Sequence, residues 1–224
     1  MAVLTNLDLL RRVSIFSELT DHQMGQLADA VTKRRVKRGE LIVEQGKKSN
    51  ALFIILSGKA RVVMTDRRGK EVILDVIGSG DYVGEISLID GNSHSANVQA
   101  DTQCDLLVLG REEFNRCLMS NHAMAHSVIQ GLVHRLRNAD AKISSLALMD
   151  VYGRVAQSLM ASAEVVGEHE LLIRQKITRQ DIAKKVGASR EMVSRVMRDF
   201  EDQGFICTNQ DGSISLTERR AVAR

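Results

Sequence analysis

The stretch that decides the fold is ITRQDIAKKVGASREMVSRVMRDFEDQGFI, residues 177–206. Thr178 followed by Asp181 forms a capping-box-like start to a first helix. Ala183 is small, as two closely crossing helices require, and Gly187 stands four residues later. A tight turn there calls for the left-handed backbone that glycine tolerates. Ser189 is an N-cap for a second helix. In that helix Val193, Val196, Met197 and Phe200 share one face, while Arg190, Glu191, Ser194, Arg195 and Arg198 fall on the other. The pattern predicts a helix-turn-helix.

A second helix with such an outer face suits the DNA major groove. Arginine donates two hydrogen bonds to guanine O6 and N7, and glutamate accepts from cytosine N4. The competing account is a solvated face with Arg190, Glu191 and Arg195 in salt bridges. An acidic residue among arginines repels phosphate, so it fits base reading better than simple phosphate attraction. Thr178, Arg179, Gln180 and Ser189, at the helix starts, complete the candidate DNA-binding set. Downstream, 205–208 and 213–217 are β-type runs joined around Asp211-Gly212, a hairpin placed as a wing. From Leu171 onward, eleven Lys/Arg face seven Asp/Glu, so this end more than accounts for the net charge of +3.

Upstream, the character changes twice. The first half is punctuated by Gly39, Gly46, Gly58, Gly69, Gly78, Gly80, Gly84 and Gly91. Between them lie ALFIIL (51–56), KARVVMT (59–65) and EVILDV (71–76), and QCDLLVL (103–109) follows. Short strands at such spacing predict a β-sandwich or barrel, with DRRG (66–69) as a hairpin loop. Residues 6–31 read as helical, with Thr20 capping a helix from Asp21. From Arg111 to Met149 only Gly131 interrupts a helix-favouring stretch. There Ile129, Leu132, Leu136, Ala139, Ile143 and Leu146 repeat every three and four residues, the heptad seam of a parallel homodimer. A helix packed on its own β-domain is the alternative. Leu146 to Asp150 is the hinge, and VYGRVAQSLMASAEV (151–165) the next helix. The fold class is therefore α+β. Residues 1–110 form an N-terminal sensor domain, 111–149 a dimerisation helix with hinge, and 150–224 a winged helix-turn-helix.

Composition excludes several classes. Apolar runs are too short to span a bilayer, and the first residues lack a signal-peptide pattern, so a cytoplasmic location without membrane contact is expected. Cys104, Cys117 and Cys207 are odd in number and widely spaced, which fits neither a disulfide framework nor a thiolate cluster. His122 and His126 have the spacing of a zinc pair but no third ligand, so no metal site is expected. The basic run KRRVKR (33–38) reads as a strand whose side chains alternate toward solvent, with contact to nucleic acid or RNA polymerase as the alternative. No phosphate-binding Walker loop, nucleophile elbow or paired carboxylate supports an enzyme.

On these residues the chain resembles the CRP/FNR family of bacterial transcription regulators over essentially its whole length. The residues 177–196 are similar to the family's DNA-binding signature, and LALMDVYGRVAQSL to the hinge and following helix of its cAMP receptor branch. The resemblance implies a β-roll like a cyclic-nucleotide-binding domain, a homodimer on double-stranded DNA, and contact with RNA polymerase near 161–170. It implies that Arg190, Glu191 and Arg195 read a TGTGA-like half-site, while Ser194 matches a base-contacting serine of the FNR branch. GDYVGEISLIDGNSHSANVQA (80–100) resembles the family's phosphate-binding cassette. By position Gly84, Glu85, Ile86, Ser87, His94 and Ser95 would line an effector site, with Glu85 accepting a ribose hydroxyl. Ala139 and Asp140 stand where the cAMP receptor branch offers hydroxyls to adenine. His94 replaces the family's arginine and so lacks a permanently charged, bidentate phosphate clamp. These departures argue against cAMP. The missing N-terminal cysteine cluster argues against an iron–sulfur sensor. Another nucleotide, cyclic di-GMP, haem, a small metabolite or no ligand stays open.

Overall fold

The computed structural model describes residues 5–166 and 170–217. It falls into two compact units, 1–138 and 139–224, divided inside one long helix.

The first unit starts with α1 (Asn6–Leu10), a single 3-10 turn (Ser14–Phe16) and α2 (Asp21–Ala30). The helix from Asp21 capped by Thr20 is as expected, while the residues before it form only one short helix and a 3-10 turn. The cause is local: Thr5 and Thr20 each close a capping box, with Asp8 and Gln23, so the segment starts a helix twice.

Eight strands follow: β1 (Thr32–Val36), β2 (Leu41–Val43), β3 (Ala51–Ser57), β4 (Ala60–Thr65), β5 (Glu71–Ile77), β6 (Tyr82–Val83), β7 (Asn97–Ala100) and β8 (Cys104–Gly110). They make two four-stranded antiparallel sheets, in the orders β1-β8-β3-β6 and β2-β7-β4-β5. Gly69, at φ 77°, closes the β4–β5 hairpin where DRRG predicts it. Phe53, Ile55, Cys104 and Leu106 face a core shared with Ile42, Val98 and Ala60 of the other sheet. Their neighbours Leu52, Ile54, Leu107 and Leu109 face a second core, built with the helices. With both faces covered, β3 and β8 read as continuous apolar runs rather than alternating ones. β1 is an edge strand whose Thr32 to Arg35 are all exposed, which removes the in–out alternation expected for KRRVKR.

After β6, α3 (Glu85–Asp90) forms a short turn of helix, and α4 (Arg111–Ser120) and α5 (His122–Leu148) follow β8. Phe114, Met124 and Val128 are buried in the helix-side core, so α4 and the start of α5 pack on the β-roll.

The second unit holds the end of α5, α6 (Val151–Met160), β9 (Glu164–Val165), β10 (Glu170–Ile173), α7 (Arg179–Val186), α8 (Arg190–Asp202), β11 (Ile206–Thr208) and β12 (Ile214–Thr217). Its sheet runs β11-β12-β10-β9, and Gly212 turns the β11–β12 hairpin at φ 84°. One correction concerns α6. It stops at Met160 instead of running to Val165, because Glu164 and Val165 pair with Leu172 and Leu171 of β10. Val155, Leu159, Ile182, Val193, Val196 and Met197 form the core. No helix among the described residues is long and apolar enough to cross a membrane.

Candidate DNA-reading surface and sensor site

α7 and α8 are started and stopped as the sequence dictates. The Thr178 hydroxyl accepts from the Asp181 amide and donates to its carboxylate at 2.6 Å. Gly187 sits at φ 68°, and an added Cβ would lie 3.3 Å from Leu146 Cδ2. The Ser189 hydroxyl accepts from the Met192 amide at 3.2 Å. Val193, Val196 and Met197 are buried, Phe200 half-buried, which fixes the roll of α8.

The opposite side is a shallow, open depression of about 440 Å³ lined by Arg190, Glu191, Ser194, Arg195 and Arg198. Among the described residues none of the three arginines forms an ion pair, so the salt-bridged account of this face does not hold. Glu191 is held ionised below the ordinary carboxylate range, first by its own backbone amide, then by Ser189 and the Arg190 charge. The face therefore presents free guanidinium donors around one ionised acceptor. Ser194 donates its hydroxyl proton to the Arg190 carbonyl at 2.8 Å, leaving lone pairs outward.

Arg179 stands apart from the expected DNA set. Its guanidinium reaches Glu201 at 3.5 Å, and the same carboxylate oxygen accepts from the Thr208 hydroxyl at 2.6 Å. It thus ties the start of α7 to the end of α8 and to the wing strand. Gln180 is exposed beside it. Sequence reading missed a second brace, in which Tyr152 donates to Asp199 and meets Phe200 edge-on at 6.0 Å.

In the first unit, Gly84 opens α3 at φ 102°, and a Cβ there would sit 2.6 Å from the Ala51 carbonyl oxygen. Only glycine fits. Glu85 is fully buried, with Oε1 2.7 Å from the Arg135 guanidinium. Arg135 also donates to the Tyr82 carbonyl and lies over the Tyr82 ring, 5.3 Å from its centroid. Gly131 permits this, since a Cβ would collide with the Tyr82 hydroxyl at 2.3 Å. Burial pushes the Glu85 carboxyl up, and the Arg135 charge and its own amide pull it back down in part. Among the described residues, Oε2 of Glu85 has no hydrogen-bond partner.

His94 is buried and spoken for on both sides. Nδ1 hydrogen-bonds the Ser87 hydroxyl at 3.0 Å and Nε2 the Ser49 hydroxyl at 2.8 Å. Burial lowers its pKa and keeps it neutral. Of the expected effector residues, the structure brings together Gly84, Glu85, Ser87 and His94. Ile86 and Ser95 are exposed, and Ala139 and Asp140 are exposed farther along α5. Arg135, Tyr82 and Ser49 were not anticipated. Arg135 beside Leu136 of the seam reads in sequence as an ordinary solvated charge.

Along α5, Ile129, Val133, Leu136, Ile143 and Leu146 are exposed, whereas Leu132 packs partly on its own core. His126 pairs with Gln130 on the same helix. Among the described residues no cluster of histidine, cysteine or carboxylate could hold a metal.

A nucleotide-cassette β-roll joined by a long helix to a winged helix-turn-helix defines a class of ligand-responsive, DNA-binding regulators. The comparisons agree. A cyclic nucleotide-binding domain model matches residues 33–121, and a Crp-like helix-turn-helix domain model matches 153–224. The cAMP-activated global transcriptional regulator CRP of Salmonella typhimurium is 34% identical over 168 residues, 74% of this chain and 80% of that protein. The cAMP-activated regulator Vfr of Pseudomonas aeruginosa is 31% identical over 180 residues, 78% of this chain and 84% of that one. Among solved structures, the c-di-GMP responsive regulator CLP of Xanthomonas campestris superposes with a TM-score of 0.76 at 21% identity. It covers 89% of this chain and all of its own. The chain belongs to the CRP/FNR family. It is a transcription regulator with a helix-turn-helix DNA-binding domain and an effector-binding domain of the cyclic-nucleotide type.

Proposed function

We propose that the protein works as a homodimer joined along α5, reading a near-palindromic operator with TGTGA-like half-sites. The observation that carries this is the outer face of α8, where three arginines with no ion pair among the described residues surround an ionised Glu191. Arg190 and Arg195 donate to guanine and Glu191 accepts from cytosine. Ser194, whose proton is engaged with Arg190, meets a base as an acceptor. Ser189, Thr178, Gln180 and Arg198 lie where phosphate contacts fix register, and Arg179 reaches phosphate with the donors that Glu201 leaves free. Two-fold symmetry sets the half-sites roughly 34–36 Å apart along the duplex.

The β-roll controls this output by binding a small effector at the Glu85–Arg135 cluster. cAMP is disfavoured because His94, in the place of the family's arginine, is neutral and engaged by Ser49 and Ser87. RNA polymerase is the further partner, met near 161–170, of which 167–169 lie outside the described residues.

Selection of bound sequences from a random duplex pool tests the reading. The expected result is an inverted repeat of TGTGA-like half-sites; a pool without any inverted repeat refutes it. Arg195→Ala should weaken the selected site by about 1–3 kcal/mol and relax preference at one base pair. A loss equal on all sequences would make Arg195 a phosphate contact.

A further inference from the structure

The outward stripe of α5 changes chemistry at its N-terminal end. The first turns of this helix are pinned by Met124 and Val128, both buried against the β-roll. At 3.6 residues per turn, His122 and His126 then fall on the opposite side, and both are exposed. That side continues from His126 as Ile129, Val133 and Leu136, also exposed, at spacings of three, four and three. The stripe is thus apolar along the helix and imidazole where the helix begins.

His122 has no partner among the described residues, and His126 Nε2 lies 3.0 Å from the Gln130 side-chain amide. A turn of that amide lets its oxygen accept from Nε2–H. The Nδ1 lone pair is then left for a metal, with the ring oriented from behind. Histidines four apart on one helix face converge on a single ion. Two nitrogens, however, do not fill a zinc site, which takes four ligands. One chain supplies no more: among the described residues no group of three or more histidine, cysteine or carboxylate side chains could hold a metal. A second copy does. Helices paired in parallel along this stripe repeat His122 and His126 across a two-fold axis. Helix axes about 8–10 Å apart leave the imidazoles of both chains within reach of an ion lying between them, at Zn–N of about 2.0–2.1 Å. An all-imidazole set suits zinc and does not suit magnesium or calcium, which take oxygen.

We propose that His122 and His126, with the partner's His122 and the partner's His126, form a zinc site that closes the N-terminal end of the α5 seam and strengthens the dimer. The proposal rests on the reading of α5 as the seam of a parallel homodimer and adds a metal to it.

Tag-free, full-length protein stripped of metal with a chelator tests it, by calorimetry with zinc chloride and by sedimentation. Zinc should bind at one ion per two chains, and magnesium should not compete. With free zinc at about 100 times the dissociation constant of the site, the dimer should dissociate about 100-fold less readily than in chelator. His122→Ala and His126→Ala should each weaken zinc binding at least about 100-fold, since even an outer-shell partner accounts for about 10–100-fold. Both side chains are exposed, so melting in chelator should not change. His134→Ala is the control: it removes a histidine of α5 that pairs with Asn138 off the stripe, and zinc should bind it as it binds the unaltered protein. One zinc per chain, or undiminished zinc binding by His122→Ala, overturns the shared site. A protein that sediments as a dimer in chelator but takes up no zinc overturns the site and leaves the seam in place. A protein that stays a monomer both in chelator and with zinc overturns the site and the seam together.

Discussion

His94 is a residue whose environment changes its chemistry. Free histidine titrates near pH 6.5, and burial between Ser49 and Ser87 lowers that value in the folded protein. The folded state therefore binds fewer protons than the unfolded one between the lowered pKa and about 6.5. Stability from this residue is complete above that window and is lost as pH falls through it. Thermal melts from pH 7.5 to 5 should show the β-roll weakening on acidification, and His94→Gln should flatten the dependence. An unchanged slope in the variant would remove His94 as its cause. Neither serine partner was legible in the sequence, because Ser49 lies 45 positions away and no local pattern marks such a pairing. Arg135 and Glu85 are separated by 50. Gly187 and Ser189, by contrast, were legible, because a left-handed turn and an N-cap are decided within four residues.

At the scale of the element, α8 shows how local rules place the reading face. Ser189→Ala removes the hydroxyl that accepts from the Met192 amide and should cost about 1 kcal/mol of stability. Gly187→Ala should cost roughly 1–2 kcal/mol, because φ is 68° and the added methyl crowds Leu146. Both values come from urea unfolding. The informative comparison is with DNA binding: Gly187→Ala alters the angle between α7 and α8, so it should lower operator affinity more than Ser189→Ala does. Equal loss in the two would deny that angle any special role. The strands of this unit were less legible than its helices. β9 has two residues, and its sequence neighbours are good helix formers, so only pairing with Leu171 and Leu172 makes it a strand. The start of α2 was legible from the Thr20 cap, whereas the Thr5 cap and the short 3-10 turn before Thr20 were not singled out.

For the whole molecule, the order of parts was readable because each part has its own periodicity: glycine-bounded strands, a long helical run, then a capped helix pair. The seam on α5 was only partly so. Spacing alone put Leu132 with the others, but a long helix touches its own β-roll on one side, and Leu132 faces that way. What is left outward is Ile129, Val133, Leu136, Ile143 and Leu146, a stripe largely exposed within the described chain, with Leu146 touched by the Gly187 turn. Isolated exposed apolar residues are ordinary, but a stripe at heptad spacing along one helix is the surface that a second copy buries. Leu136 is 62% exposed, so replacing it disturbs little within one protomer. Leu136→Glu should therefore leave the melting of each unit nearly unchanged while converting the dimer to a monomer in sedimentation. Operator affinity should fall by on the order of 10²-fold or more, because one recognition helix loses the second as a tethered partner. Met119, 82% exposed and off the stripe, supplies the control: Met119→Glu should alter neither sedimentation nor DNA binding. If Leu136→Glu still sediments as a dimer, α5 is not the seam, and the pairing of the two reading heads must be sought on another surface.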